Sequence, residues 1–409
     1  MSKNKGKIVA CLDLGTTKMV CLIASIMDEK IKILGYGYKE SKGIVASAIS
    51  DMRLAQRSII NAISDAEKMA GFNINRVVVG LSGSQAVSQI REVNSKISSD
   101  MVRNSDIASL VNDIRLEYRK NNREVIHLIP LQYKIDDSNL VQNPRYMSGE
   151  KLSAKFHVVS ASFTTAKNIE GCLKRCQLSV NNYIAEVYAS AISSLTDGEL
   201  NLGTLVIDIG SSNTSFAVMS DGKLVHTGNF PIGGIHITRD IATVLNIDFE
   251  TAERIKNLNN SLIINPLEEK ELIKLKVGGI GDEVDLIRVT KMELRSIIMC
   301  RLEEIVESVK KILDKTNYGP YLVSSIVLTG GCSSIIGIEK VVSDIFRKQV
   351  RIGYPGKIEN LPPDLNDPSF CSSVGILVFL KNIYTREKIK DGFEVKSSWL
   401  KKFFDYITT

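Results

Sequence analysis

Asp13-Leu14-Gly15-Thr16-Thr17-Lys18 and Asp208-Ile209-Gly210-Ser211-Ser212-Asn213 are one short text written twice, 195 positions apart. Each copy lies between apolar runs, 8–12 and 19–25 around the first, 205–207 and 216–219 around the second. The pattern reads as strand, tight turn, strand, repeated at about one domain's length. Two such hairpins facing each other across a cleft can hold a polyphosphate from both sides. Backbone N–H groups at Gly15 and Gly210 and the hydroxyls of Thr16, Thr17, Ser211 and Ser212 would donate to phosphate oxygens. The carboxylates of Asp13 and Asp208 suit Mg²⁺ held through water, because that ion keeps much of its hydration shell. A single Asp-x-Gly is a common turn, and a purely structural duplication is the competing reading. A third piece is Val327-Leu328-Thr329-Gly330-Gly331, an apolar strand ending in two glycines, where a purine could lie flat on the backbone. An ordinary strand-to-helix turn would read the same way.

The elements that must position these turns are legible at low resolution. In the first half, strand-like runs cover 31–38 and 43–49, an amphipathic helix covers 52–70 and stops at Gly71, and a buried strand covers 77–81. Between 82 and 155 charges rise, a helix is expected near 105–120, and strands at 124–131 and 133–135 alternate with polar turns. This reads as an inserted subdomain, after which 156–162 resumes the sheet text and 166–176 is helical. In the second half, Pro231-Ile232-Gly233-Gly234 leads into a helix over 237–244, and 250–290 is polar. Thr290 and Glu293 have capping-box spacing. They introduce the most regular helix, with Leu294, Ile298, Leu302, Ile305, Val309 and Leu313 at steps of three and four. Residues 325–328 form a buried strand. Alternating strands and helices in both halves make the fold class α/β with two related cores.

Composition narrows the function classes. The chain has 409 residues, 44% hydrophobic and 24% charged, enough for two or three domains with their own cores. A net charge of +6 is too mild to argue for nucleic acid. Half of that excess falls in residues 381–409, so the positive charge belongs to the tail. Seven scattered cysteines without a C-x-x-C suit a reduced compartment, and Cys172 and Cys176, one helical turn apart, would need further ligands to hold a metal. No apolar run approaches the roughly 20 residues of a membrane span, and the N-terminus has no signal peptide, so a cytosolic protein is expected. A G-x-x-x-x-G-K-[ST] loop is absent from the sequence.

The three glycine-bearing pieces, in this order, resemble the actin-like ATPase superfamily. His127-Leu128-Ile129-Pro130-Leu131-Gln132-Tyr133, Asn143-Pro144-Arg145-Tyr146-Met147-Ser148-Gly149 and Ala154-Lys155-Phe156-His157-Val158-Val159 narrow the likeness to the FtsA family of bacterial cell-division proteins. So do Pro231-Ile232-Gly233-Gly234 with 237–242 and Gln349-Val350-Arg351-Ile352-Gly353. The resemblance implies an actin-like two-lobed fold with duplicated ATPase cores, an inserted α+β subdomain and a C-terminal amphipathic helix. The implied divisions are 1–82 with 156–200 (first lobe), 83–155 (insert), 201–240 with 321–380 (second lobe), 241–320 (its subdomain), 381–396 (linker) and 397–409 (membrane helix). It implies ATP and Mg²⁺ as ligands, with Asp13, Gly15, Thr16, Thr17 and Lys18 as one phosphate loop. Asp208, Gly210, Ser211 and Ser212 would be the other, beside Gly233 and Gly234, and Gly330 and Gly331 would line the adenine. Glu253 and Lys256 match the ribose-contacting pair, although i,i+3 spacing also suits a solvated ion pair. Glu186 stands where relatives position the attacking water; otherwise it is a helix-start carboxylate.

The second turn reads Gly210-Ser211-Ser212-Asn213 where the family usually has more glycine followed by Thr, Ser215 stands in place of its usual later acid and Cys332 in place of a usual third glycine, so slow hydrolysis at most is expected. Trp399, Leu400, Phe403, Phe404 and Ile407 form one helical stripe flanked by Lys396, Lys401 and Lys402. That stripe suits an anionic lipid surface, or docking on the protein's own core. The implied partners are the C-terminal peptide of FtsZ, further copies in a head-to-tail filament, anionic lipid, and other division proteins through the insert. The implied place is the cytoplasmic face of the inner membrane. Arg295 and Arg301 could meet the acidic FtsZ peptide, or simply be a solvated face. The rival activity is a sugar or small-molecule kinase of the same superfamily, which would need a sugar-binding carboxylate cluster not evident here. A chaperone would need a substrate domain after the second lobe.

Overall fold

The computed structural model describes residues 6–45, 48–82, 86–136, 140–263, 271–277, 285–316, 318 and 322–391. The chain opens with β1 (Lys7–Leu14), β2 (Lys18–Met27), β3 (Lys30–Glu40), a short ribbon of β4 (Ile44–Val45) and β5 (Ala48–Ile49), α1 (Met52–Ala70) and β6 (Arg76–Leu81). An insert follows: β7 (Val87–Lys96), α2 (Asn104–Lys120), β8 (Arg123–Ile135), β9 (Leu140–Val141) and β10 (Lys151–Ser162). Then come α3 (Phe163–Arg175), β11 (Ser179–Ala185), α4 (Glu186–Ser194) and α5 (Asp197–Asn201). The second half contains β12 (Thr204–Ile209), β13 (Thr214–Ser220), β14 (Lys223–Phe230), α6 (Gly234–Leu245), α7 (Phe249–Leu258), β15 (Leu272–Val277) and β16 (Asp285–Thr290). It closes with α8 (Lys291–Asp314), β17 (Ser325–Thr329), α9 (Ile338–Phe346), β18 (Gln349–Ile352) and α10 (Cys371–Asp391).

Two five-stranded sheets repeat one plan. The first runs β11-β6-β1-β2-β3 and the second β18-β17-β12-β13-β14. In each, a central strand pairs antiparallel with its hairpin partner (β1–β2, β12–β13) and parallel with the strand on its other side (β1–β6, β12–β17). Asp13 therefore sits in register with Gly80, and Asp208 with Thr329, at the carboxyl ends of the two central strands. Crevices outside those ends are where ligands bind in open α/β sheets. Both faces of the first sheet are covered, with Leu12, Ile23, Ile59 and Val79 in one core and Leu22, Val78, Val374 and Phe379 in the other. That double burial is why these strands read as near-continuous apolar runs.

Local signals and structure agree where one element decides the outcome. Asp51 caps α1 through the N–H groups of Arg53 and Leu54, and Gly71 closes it in the left-handed region. Thr290 and Glu293 form the expected reciprocal cap of α8. Other expectations shift. The expected strands at 124–131 and 133–135 are one, β8, and 156–162 does not rejoin the first lobe's sheet: all of β10 pairs with β7 and β8 in the insert. Sheet pairing thus carries the insert through Ser162. Helix α6 starts at Gly234 rather than at 237, and 250–290 contains α7 and a hairpin. Residues 381–391, expected as linker, continue α10, while 392–396 and the stripe from Trp399 to Ile407 lie outside the described residues.

Three of the four histidines join the insert to both lobes. His157 accepts from Ser88 Oγ at 2.6 Å and donates through Nδ1 to the Leu224 carbonyl of β14 at 2.9 Å. His127 Nε2 accepts the Ala185 N–H at 2.9 Å, and His226, which stacks on Tyr318, meets Ser88 Oγ of β7 through Nδ1 at 3.5 Å. Burial holds His127 and His157 down at about 3 and His226 at about 4, so all three are neutral in the folded chain. The unfolded chain takes up these protons below about pH 6.5. The stability they contribute is full above that value and is lost as pH falls toward the folded values. The free energy of unfolding in urea should therefore fall between pH 6 and 4, by about 1.4 kcal/mol per pH unit for each fully buried histidine. The His157→Gln variant should show a correspondingly flatter profile.

Candidate functional site

A cavity of about 610 Å³ opens between the two sheets, lined by both hairpin turns, the start of α4, the helix pair α6–α7 and the turn after β17. Each turn is forced by its sequence. A Cβ on Gly15 would overlap the Lys18 carbonyl, so glycine alone lets the first hairpin fold back this tightly. The two turns meet directly: Thr16 Oγ1 and Ser212 Oγ are hydrogen bonded at 2.7 Å, although their residues are 196 apart in sequence. Gly330 has φ +85°, and a Cβ there would come within 2.5 Å of Asp208 Oδ1. Only glycine can carry the chain past that carboxylate.

The floor of the cavity collects acids. Asp13 is 7% exposed and accepts from Ser372 Oγ at 2.5 Å and Ser373 Oγ at 2.6 Å. Asp208 accepts from Ser190 Oγ at 2.6 Å. Glu186, the first residue of α4, packs over Gly80, and its Oε1 is buried without a hydrogen-bond partner. Burial first, then the charges of Asp13 and Asp208, push the Glu186 carboxyl well above the ordinary range, and burial raises Asp208 as well. The carboxyl groups of Asp13, Asp208 and Glu186 together make a hard-oxygen donor set that fits Mg²⁺. Lys18 is the facing cation. Its Nζ donates to Ser369 Oγ at 2.8 Å and lies 3.2 Å from the Phe370 ring centre, and burial lowers its pKa to about 8.

Lys256 pairs with Glu253 at 2.6 Å and donates to Thr238 Oγ1 at 2.7 Å, and Thr238 also bonds Glu253. The pair thus forms a fixed polar edge of the cavity, although Glu253 is still partly exposed. Gly234, Gly330, Gly331 and Cys332 line the same side. Among the residues singled out from sequence, Asp13, Gly15, Thr16, Thr17, Lys18, Glu186, Asp208, Gly210, Ser211, Gly234, Glu253, Lys256, Gly330 and Gly331 all border this one space. Ser212 and Gly233 do not. Ser212 bridges to Thr16, and Gly233 packs beneath the second turn, where a Cβ would reach the Gly210 and Ser211 carbonyls. Arg295 and Arg301 are on α8, away from the cavity. Arg301 is held by Asp240 through two hydrogen bonds of 2.6 and 2.8 Å and by Glu304.

Ser82, Ser369 and Ser372 line the cavity and Ser190 bonds Asp208, and sequence reasoning passed over all four. Ser372 and Ser373 had one available signal, the helix-start text Asp367-Pro368 just before them, with Asp367 accepting the Ser369 N–H at 2.9 Å.

Comparison with known proteins agrees with this geometry. Residues 205–375 match the family model for cell division protein FtsA, and residues 83–160 match the SHS2 domain inserted in FtsA. The chain is 31% identical over 402 residues to the cell division protein FtsA of Pseudomonas aeruginosa, covering 97% of this chain and 94% of that one. It is 30% identical over 390 residues to FtsA of Agrobacterium fabrum, covering 93% and 88%. Among solved structures, MreB5 of Spiroplasma citri bound to ADP aligns with a TM-score of 0.59 at 16% identity, covering 93% of this chain and 98% of that one. A chain of the PilM–PilN type IV pilus biogenesis complex aligns at 0.65 and 14%, covering 91% and 98%. The fold is therefore actin-like, the insert is the SHS2 domain, and the chain belongs to the FtsA family of cell-division proteins.

Proposed function

We propose that this cell-division protein binds Mg-ATP between its lobes and uses the nucleotide to govern assembly rather than rapid turnover. The observation that carries the reading is the convergence of Asp13, Asp208, Glu186 and both hydroxyl-bearing turns on one cavity. Magnesium, when bound, would offset phosphate charge and orient the terminal phosphoryl group. Gly15, Thr16, Thr17, Gly210 and Ser211 would donate to the phosphates, and Lys18 would add a positive charge. Gly330, Gly331 and Cys332 would flank the base, and Glu253 and Lys256 would bond the ribose. Glu186 would position water, and burial together with the Asp13 and Asp208 charges raises its carboxyl above the ordinary range. Ser215, standing where the family usually has an acid, supports slow hydrolysis.

The larger assembly is part of the same proposal. Copies would join head to tail, residues 397–409 would lie on the cytoplasmic face of the membrane, and the lobe carrying 241–320 would tether FtsZ. The insert would meet other division proteins. Imaging the intact chain on an anionic lipid monolayer should show filaments with Mg-ATP; their absence with and without nucleotide would refute the assembly claim. For the FtsZ peptide, Arg295 is the freer candidate, since Arg301 must first give up Asp240. Reversing charge at both should weaken peptide affinity about tenfold, one net buried ion-pair's worth; unchanged affinity would remove α8 from the interface.

A further inference from the structure

The two acids at the cavity floor are not held by their own lobes alone. Ser190 lies one helical turn after Glu186 on α4, the helix that follows the last strand of the first sheet and precedes β12 of the second. Its hydroxyl donates to Asp208 Oδ2 at 2.6 Å. In mirror fashion, α10 receives the chain from β18 of the second sheet and packs on the first sheet's core. Its opening residues Ser372 and Ser373 both donate to Asp13 Oδ2. Each carboxylate is thus gripped by a helix on the path between the lobes.

The two helices are also locked to each other. Ser193 of α4 donates to the Cys371 carbonyl at 2.7 Å. A Cβ on Gly375 of α10 would overlap the Ala189 carbonyl of α4, so the helices touch backbone to backbone at their crossing. A change in tilt between the lobes must therefore move the hydroxyls that aim both acids. Hydroxyl donors to a buried carboxylate favour its ionised form and fix its rotation, and such supporting bonds strengthen the ligand's hold on a metal.

Resting on the nucleotide-site reading above, we propose that Ser190, Ser372 and Ser373 are positioning residues that aim Asp208 and Asp13 at the nucleotide's magnesium. Through them the crossing helices α4 and α10 sense whether the ion is present. The ion's contribution to nucleotide binding is then set by three hydroxyls bonded to the two acids, and lobe closure and metal binding become one event.

The test measures a fluorescent ATP analogue binding to the full chain during magnesium titration and again in EDTA. In Ser372→Ala/Ser373→Ala, the magnesium concentration for half-maximal effect should rise about tenfold. Affinity in EDTA should stay within about twofold of the unaltered chain. Ser190→Ala should behave alike through the other acid, and Ser372→Thr, which keeps a hydroxyl, should match the unaltered chain. Equal losses with and without magnesium would mean a merely structural role and overturn the proposal, as would an unshifted titration in both alanine variants. Should the double variant not fold, Ser190→Ala decides by itself. An unaltered chain that binds no analogue in any condition would instead overturn the nucleotide-site reading, and this proposal with it.

Discussion

Replacing Asp13 with Asn should reverse sign with the metal. With magnesium present, ATP affinity falls about 100-fold, equivalent to about 2.7 kcal/mol. In EDTA it holds steady or improves. Asn keeps the shape and can still accept from Ser372 and Ser373, but it cannot supply the negative charge that a divalent cation needs. Without the ion, the same lost charge is a benefit, because a carboxylate facing a triphosphate repels it. The substitution also removes one of the two charges that hold the Glu186 carboxyl high, so that group should titrate at a lower pH in the variant. Equal weakening in both media would show that Asp13 acts only as part of the fold and would dismiss it as a metal partner. Isothermal titration of the folded variant, checked by its thermal melt, separates the outcomes.

Deleting residues 397–409 should abolish co-sedimentation with anionic liposomes while leaving nucleotide affinity unchanged. Five apolar side chains buried at about 2 kcal/mol each set an upper bound near 10 kcal/mol. Ordering the segment takes back about 2–5 kcal/mol, so one helix is a weak, reversible anchor. Filaments would present many such helices side by side, and effective concentration would make attachment far firmer. Binding should consequently rise steeply with protein concentration and fall when salt screens Lys396, Lys401 and Lys402. Liposome binding that survives the deletion would move the lipid contact elsewhere. Binding indifferent to lipid charge would favour the alternative, a helix docked on the protein's own surface.

Much of the site is readable because hairpin chemistry is local. Asp-x-Gly with following hydroxyls needs only a few residues to specify a tight turn, and each copy sits in its own apolar frame, so both were visible without knowing how they meet. The same holds for the caps of α1 and α8, where one side chain satisfies N–H groups two or three residues away. Boundaries that depend on partners were less legible. The run 156–162 is apolar whichever sheet it joins, and only pairing with β7 and β8 assigns it to the insert. Likewise 381–391 is too charged to announce a helix, yet it continues α10, whose earlier turns are anchored in the first sheet's core.

Residue type and short-range spacing were sufficient for the two hairpin turns, their carboxylates and the glycine turn after β17, and likeness of motifs for the family. Tertiary structure alone decided which groups hold those carboxylates. Ser372 and Ser373 reach Asp13 across about 360 residues of chain, and Arg301 reaches Asp240 across 61. No local pattern encodes such pairs, because a hydroxyl or guanidinium costs little in water wherever it stands and acquires its role only when folding buries it against an acid.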